Sequence, residues 1–300
     1  MMFRRITGTA LACAGAAVVC VLPARAVADE PCAGWRIDTV AQGLEQLENL
    51  EPDGQDGFYL SGDTKVSHVD GGGQVRTVLD NLAAPGGLQL DGTTLRFLTR
   101  QDGRLWETDT ATGTSAPPVP LPGNGLLRLP DGDLLTTWVG TEGGPSRGVS
   151  RYRHDTGAVE PNWSPVPRAE GLALSPDHRT VYTDDLFTGQ IYRIPLDDPG
   201  AWTTAATLPG LLSGPDDLTM SRAGDLYVAA HVAGTVYRVD PDTGAACAVA
   251  SGLSGGWTGP SSVRIAPDGD GWALYATLFD GTLRRLRPPA DVALAPVPTT

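Results

Sequence analysis

Three carboxylates, Glu48, Glu170 and Asp216, each stand at the head of a short segment of alternating apolar residues: Glu48-Asn49-Leu50, Glu170-Gly171-Leu172-Ala173-Leu174 and Asp216-Asp217-Leu218-Thr219-Met220. Fifteen residues after each head comes a second polar position, occupied by Asp63, Asp185 and His231. Acids that recur at one structural position converge when the units carrying them are arranged around an axis. Like charges in a partly desolvated space then raise one another's pKa, and a divalent cation removes that cost. Carboxylate and carbonyl oxygens, without cysteines or paired histidines beside them, suit one hard ion such as Ca²⁺, or alternatively Mn²⁺ or Mg²⁺, better than structural Zn²⁺. The simpler role for an acid at a strand start is to cap a turn.

The elements that must position these residues form a repeat. Each unit has an alternating apolar strand, a Pro/Asp/Gly turn and a second strand, clearest where Glu170 and Asp216 lead and weaker from Glu48, Gly86, Gly125 and Ser261. The spacings between successive heads are 38, 39, 45, 46 and 45 residues, which matches one four-stranded sheet per repeat. A third strand follows in several units, as in Gly234-Thr235-Val236-Tyr237-Arg238-Val239. No stretch carries a capped 3.6-residue periodicity, so a helical solenoid and a doubly wound sheet are both excluded. The pattern predicts an all-β fold, a six-bladed β-propeller with four-stranded antiparallel blades. Residues 35–40 precede the first repeat and are placed to supply a strand that closes the ring with the last blade. Within a blade the inner strand begins, and the second strand ends, at the same mouth of the channel. Two rings therefore meet there: Glu48, Gly86, Gly125, Glu170, Asp216 and Ser261 in one, Asp63, Gln101, Gly140, Asp185 and His231 in the other.

At these residues the sequence resembles the regucalcin/gluconolactonase (senescence marker protein) family of six-bladed propellers. The similarity is carried by Ala169-Glu170-Gly171-Leu172-Ala173-Leu174-Ser175-Pro176-Asp177, by Pro215-Asp216-Asp217-Leu218 and by Val236-Tyr237-Arg238-Val239-Asp240-Pro241. The resemblance implies a lactone-hydrolysing site with one divalent metal. Glu48 would be the first ligand and Asp216 the third, with Glu170 where the family has Asn, a change that keeps an oxygen ligand and adds a charge. Asn124 is similar to the family's substrate-contacting Asn of blade three, although Leu121 and Pro122 stand where an Arg usually precedes it. The implied catalysis is metal-activated water, with Asp216 and His231 assisting proton transfer and Asp63 and Asp185 orienting substrate or water. Each of the last two could equally cap a turn.

The chain has 300 residues, a net charge of −13, 38 glycines and 25 prolines. An acidic chain is a poor partner for nucleic acid or an anionic membrane. Residues 1–28 combine a basic start, an apolar stretch and two overlapping Ala-x-Ala sites, Ala24-Arg25-Ala26 and Ala26-Val27-Ala28, which reads as a secretory signal. Residues 29–300 are expected to form one propeller domain, secreted and, with its sheet edges short and protected in a closed ring, monomeric. Only Cys32 and Cys247 would remain, and in an oxidising compartment they are expected to pair. The loop 140–148 interrupts blade three and could form a lid, while the Pro/Ala-rich tail 288–300 would be ordered only by packing back on the last blade. Nucleophile-elbow, zincin and phosphate-loop motifs are absent. The expected function is that of a metal-dependent hydrolase acting on a small molecule, a lactone or ester. The alternative is a non-enzymatic binding or scaffold propeller.

Overall fold

Each of the six repeats folds into one four-stranded antiparallel sheet in the computed structural model, which describes residues 30–138 and 148–298. The innermost strands are Leu47–Pro52, Pro85–Asp91, Leu126–Arg128, Ala169–Leu174, Pro215–Met220 and Pro260–Asp268. Each begins within one residue of a head read from the sequence. Gly256–Thr258, a single 3₁₀ turn, is the helical element among the described residues. The segment 1–28 and positions 139–147, with Gly140 and nearly all of the loop 140–148, lie outside the described residues.

Alternation explains why these residues form blades rather than one continuous sheet. In the strand Leu226–Ala230, Leu226, Val228 and Ala230 pack toward blade four, whereas Tyr227 and Ala229 pack toward blade six. Both faces of such a strand are buried, with a side-chain period of two. The buried apolar side chains accordingly divide into clusters at the junctions between neighbouring blades. Tyr59 and Val66 meet Leu88 and Phe97 between blades one and two, and Leu172 and Tyr192 meet Leu135 and Val149 between blades three and four. At about 2 kcal/mol for each large apolar side chain removed from water, these junctions hold the ring together.

The ring is closed by both ends of the chain. The strand Arg36–Ala41 pairs antiparallel with Thr282–Arg287, so blade six is made of three C-terminal strands and one N-terminal strand. Just before it, Pro31 pairs with Ala248 on the outer strand of blade five, and Cys32 is joined to Cys247 across a sequence separation of 215 residues. The tail packs back on the fifth and sixth blades: Arg222 N donates to Ala295 O at 2.8 Å, Pro296 bridges to Ser221, and Leu294 is buried beside Val263 and Leu286.

On the face away from the mouth, blade three is tied by Asp133. Its carboxylate accepts from Arg151 Nε at 2.7 Å, from Arg153 Nη1 at 3.1 Å and from the backbone N of His154 at 3.1 Å. Asp133, His154 and Asp155 bring potential ligand atoms together, but two guanidinium groups already neutralise the buried member. Burial alone would raise the Asp133 pKa. The hydrogen bonds from His154 and Arg151 outweigh it and hold the group at about 2. A depressed carboxylate stabilises the fold above its unfolded pKa of about 4 and loses that contribution as the pH falls through the folded value. Asp133→Asn is therefore expected to lower the Tm by about 3 °C at neutral pH. Thermal unfolding should show the deficit narrowing as the pH falls from about 4 toward about 2; a deficit independent of pH would mean that charge plays no part.

Candidate metal centre at the channel mouth

The crowding of inner strands at the axis decides which backbone positions can carry a side chain. A Cβ on Gly125 would lie 2.3 Å from the carbonyl oxygen of Glu170, and one on Gly171 would lie 2.6 Å from the Cα of Asp217. Glycine at these positions lets blades three, four and five approach closely enough for their neighbours to share one space. The same contact fixes Glu170, whose carbonyl accepts from Thr137 Oγ1 at 2.5 Å while Thr137 Oγ1 accepts from Gly125 N at 2.7 Å.

The structure brings Glu48, Glu170 and Asp216 together at the mouth. All three are buried, and one carboxylate oxygen from each lies within 4.8 Å of the other two. Arg100 Nη1 pairs with Glu48 Oε1 at 2.9 Å, and Asn124 Nδ2 donates to Glu170 Oε1. His231 is buried, with Nδ1 3.0 Å from Asp216 Oδ2. Burial pushes Asp216 well above the usual carboxylate range, and the charges of Glu48, Asp184 and Asp217 add to the effect, with Arg100 opposing it. Burial lowers the His231 pKa, against the charge of Glu48, so its imidazole is neutral at neutral pH. Three buried carboxylates held this close, all oxygen donors, are the arrangement that a hard divalent cation fits.

Of the other second-ring positions, Asp63 and Asp185 are not gathered with the acids. Asp63 follows its strand and is exposed. Asp185 is buried, but its Oδ1 accepts from Phe187 N at 2.9 Å and Thr188 N at 3.2 Å, and Tyr192 OH donates to its Oδ2 at 3.3 Å. This is turn capping within blade four. The preceding residue faces the channel instead: Asp184 Oδ1 accepts from Gly171 N at 2.7 Å, and its Oδ2 is buried with no hydrogen bond. Burial raises Asp184 to about 7. A one-residue step along a strand reverses the face, and counting fifteen from each head cannot resolve that step.

A second layer lies deeper in the channel. Asp217 accepts from Arg264 Nη1 at 2.5 Å, from Ser262 Oγ and from Asn49 Nδ2 at 3.4 Å, and Arg264 Nη2 donates to Asn49 Oδ1 at 3.2 Å. Glu51, 3.9 Å from Arg264 Nε, is raised to about 7 by burial, which outweighs the Arg264 charge. Sequence reasoning missed Arg100, Asp184 and Arg264. An arginine in the mostly buried inner strand Pro260–Asp268 was the available signal, because a charge there must find a buried partner.

The family model described as SMP-30/Gluconolactonase/LRE-like region matches residues 99–251. Among solved structures, a gluconolactonase from Xanthomonas campestris is similar at 21% identity and a TM-score of 0.68, over 85% of this chain and 90% of its own. Regucalcin, a calcium-binding protein from Agrobacterium tumefaciens, is similar at 17% identity and a TM-score of 0.66, over 89% and 98% of the two chains. Virginiamycin B lyase from Staphylococcus aureus is similar at 12% identity and a TM-score of 0.60, over 85% and 100%. At such identities the likeness shows the fold, and proteins of different activity share it. No curated protein matches the sequence.

Removing one member of a buried ion pair leaves the other uncompensated. Arg264→Leu is expected to lower the unfolding free energy by about 3 kcal/mol, and adding Asp217→Asn should restore most of it. Denaturant unfolding of both variants measures this; an equal loss in the double variant would show that packing, rather than charge, makes Arg264 necessary.

Proposed function

The chain belongs to the SMP-30/gluconolactonase/LRE-like family, and from that premise we propose that it is a metal-dependent hydrolase of the lactonase type acting on a small-molecule lactone or ester. The observation that carries this reading is the grouping of Glu48, Glu170 and Asp216, with ligand oxygens within 4.8 Å of one another at the mouth. These three would hold one divalent cation, with Ca²⁺ first and Mn²⁺, Mg²⁺ or Zn²⁺ as alternatives. Such an ion polarises a carbonyl and acidifies a bound water.

The remaining roles belong to the side chains. With Asp216 ionised as a ligand, His231 Nδ1–H donates to Asp216 Oδ2, which leaves the lone pair on Nε2. A neutral imidazole in that tautomer can take a proton from water, and burial favours the neutral form. Arg100 offsets part of the negative charge through Glu48, which matters because Glu170 adds a third carboxylate. Asn124 orients Glu170 through its amide nitrogen, and its carbonyl oxygen is an acceptor that a substrate hydroxyl could use. The additional carboxylate is also what favours the second reading, a non-enzymatic binding propeller in which the ion would only tie the channel together.

Calorimetric titration of chelator-stripped protein with calcium, manganese, magnesium and zinc separates the two. One-to-one binding is expected in the wild type and a loss of at least about 100-fold in Glu48→Gln, the order expected for removing an anionic ligand. Metal-dependent opening of lactones, followed by acid release, should then appear in the wild type alone. Metal binding without turnover of any lactone or ester would favour the binding propeller, and absence of binding would overturn the metal reading.

We further propose that residues 1–28 are removed on export and that the mature domain, residues 29–300, works outside the cell as a monomer. The Cys32–Cys247 disulfide supports this, since such bonds persist in oxidising compartments. The intact mass of protein recovered from the medium should correspond to a chain starting after Ala26 or Ala28 that lacks two thiol hydrogens. A retained start or two free thiols would overturn the export reading.

A further inference from the structure

Among the described residues, large exposed apolar side chains are distributed unevenly. Ile37, Val75, Val119 and Val159 lie on outer strands, and Trp272 lies on the face opposite the mouth. Phe187, Leu211, Leu212 and Trp257 all lie in loops at the mouth, and all on the arc from blade four to blade six. Leu211 is 101% exposed and Trp257 is 84% exposed. Across the mouth, blades one and two present Asp63 and Arg100.

Trp257 is held in place by backbone. The turn Gly256–Thr258 docks on blade five through Gly256 N, which donates to Val232 O at 3.2 Å. A Cβ on Gly259 would lie 1.9 Å from His231 O, so only glycine lets the turn sit this close. The indole therefore stacks on His231, with ring centroids 6.1 Å apart and planes 27° apart, while Phe279 meets the imidazole edge-on at 5.7 Å. His231 in turn bonds Asp216. A continuous path of contact thus runs from the acid cluster to an indole face open to solvent. Exposing an indole forfeits the burial that usually holds one in place, and apolar patches beside a polar cluster mark ligand sites.

Resting on the lactonase reading, we propose that the substrate is a lactone carrying a flat apolar substituent, which lies against Trp257 and the Phe187, Leu211 and Leu212 rim while the ring carbonyl points to the acid cluster. A polyhydroxylated sugar lactone would place its hydroxyls against Phe187, Leu211 and Leu212, whose side chains neither donate nor accept a hydrogen bond. The blade four to six arc therefore selects against it.

Three lactones test this: δ-valerolactone, its derivative with a phenyl group on the δ-carbon, and glucono-δ-lactone. The wild type should turn over the phenyl lactone with a kcat/KM above that of glucono-δ-lactone. The ratio of phenyl to unsubstituted lactone should fall roughly ten-fold in Trp257→Ala and hold in Trp272→Ala, which alters the opposite face. A ratio unchanged in Trp257→Ala, or a preference for glucono-δ-lactone, overturns the proposal while leaving the lactonase reading intact. If no lactone is hydrolysed, calorimetry with the corresponding lactams on calcium-loaded protein decides. Tighter binding of the phenyl lactam that is lost in Trp257→Ala upholds the apolar wall and sinks the hydrolase. Equal binding of both lactams overturns the wall.

Discussion

Glu48, Glu170 and Asp216 hold like charges within 4.8 Å of one another in a buried space, and only a ring that cannot open keeps them there. Their repulsion acts outward along the blade radii. It is opposed by apolar junctions between blades, by the strand Arg36–Ala41 clasped to Thr282–Arg287, and by a covalent bond from Cys32 to blade five. Closing a loop of this length is worth about 5 kcal/mol. The bond lies on the last two blades, where the chain ends meet and the ring would otherwise part first.

Charge balance in the channel follows from that constraint. Two arginines serve two layers, Arg100 on Glu48 at the mouth and Arg264 on Asp217 below it. Neither layer is fully neutralised by protein alone, and Asp216, Asp184 and Glu51 are all raised by burial. The mouth layer, with three donors and a neutral histidine beside one of them, is suited to a cation. The lower layer is instead a hydrogen-bonded network that joins the inner strands of blades one, five and six. The upper layer thus has spare donor capacity, and the lower layer spends its own on packing.

The polarity of the mouth follows from loops rather than blades. Blades four to six place Phe187, Leu211, Leu212 and Trp257 on one arc, and Asp63 and Arg100 lie across the mouth from them. Loops tolerate change without disturbing the junctions, so the same ring can serve different substrates. The similarity in fold to a gluconolactonase and to virginiamycin B lyase at 21% and 12% identity accords with that division of labour.

Much of this was legible in the sequence because a propeller is a local repeat. Strand alternation and turn residues recur every forty or so positions, and each unit needs only its neighbours to bury its faces. The heads of the inner strands could therefore be found to within one residue, and with them Glu48, Glu170 and Asp216, and also His231. What depended on parity or on distant partners could not be found. Asp185 caps a turn and Asp184 faces the channel because the first hairpin turn of blade four is one residue longer: six residues separate Leu174 from its partner Val181, whereas five separate Met220 from Leu226 and Pro52 from Phe58, and a fixed count from the repeat head passes over that insertion. Arg100 meets Glu48, and Trp257 meets His231, through contacts between blades. Tryptophans scattered among repeats read as packing until the loop that carries one is seen at the mouth. The sequence by itself determined the blades, since their pattern is local. Tertiary structure alone decided which charges are paired and which aromatic ring is open to solvent, because both depend on side chains meeting across a closed ring.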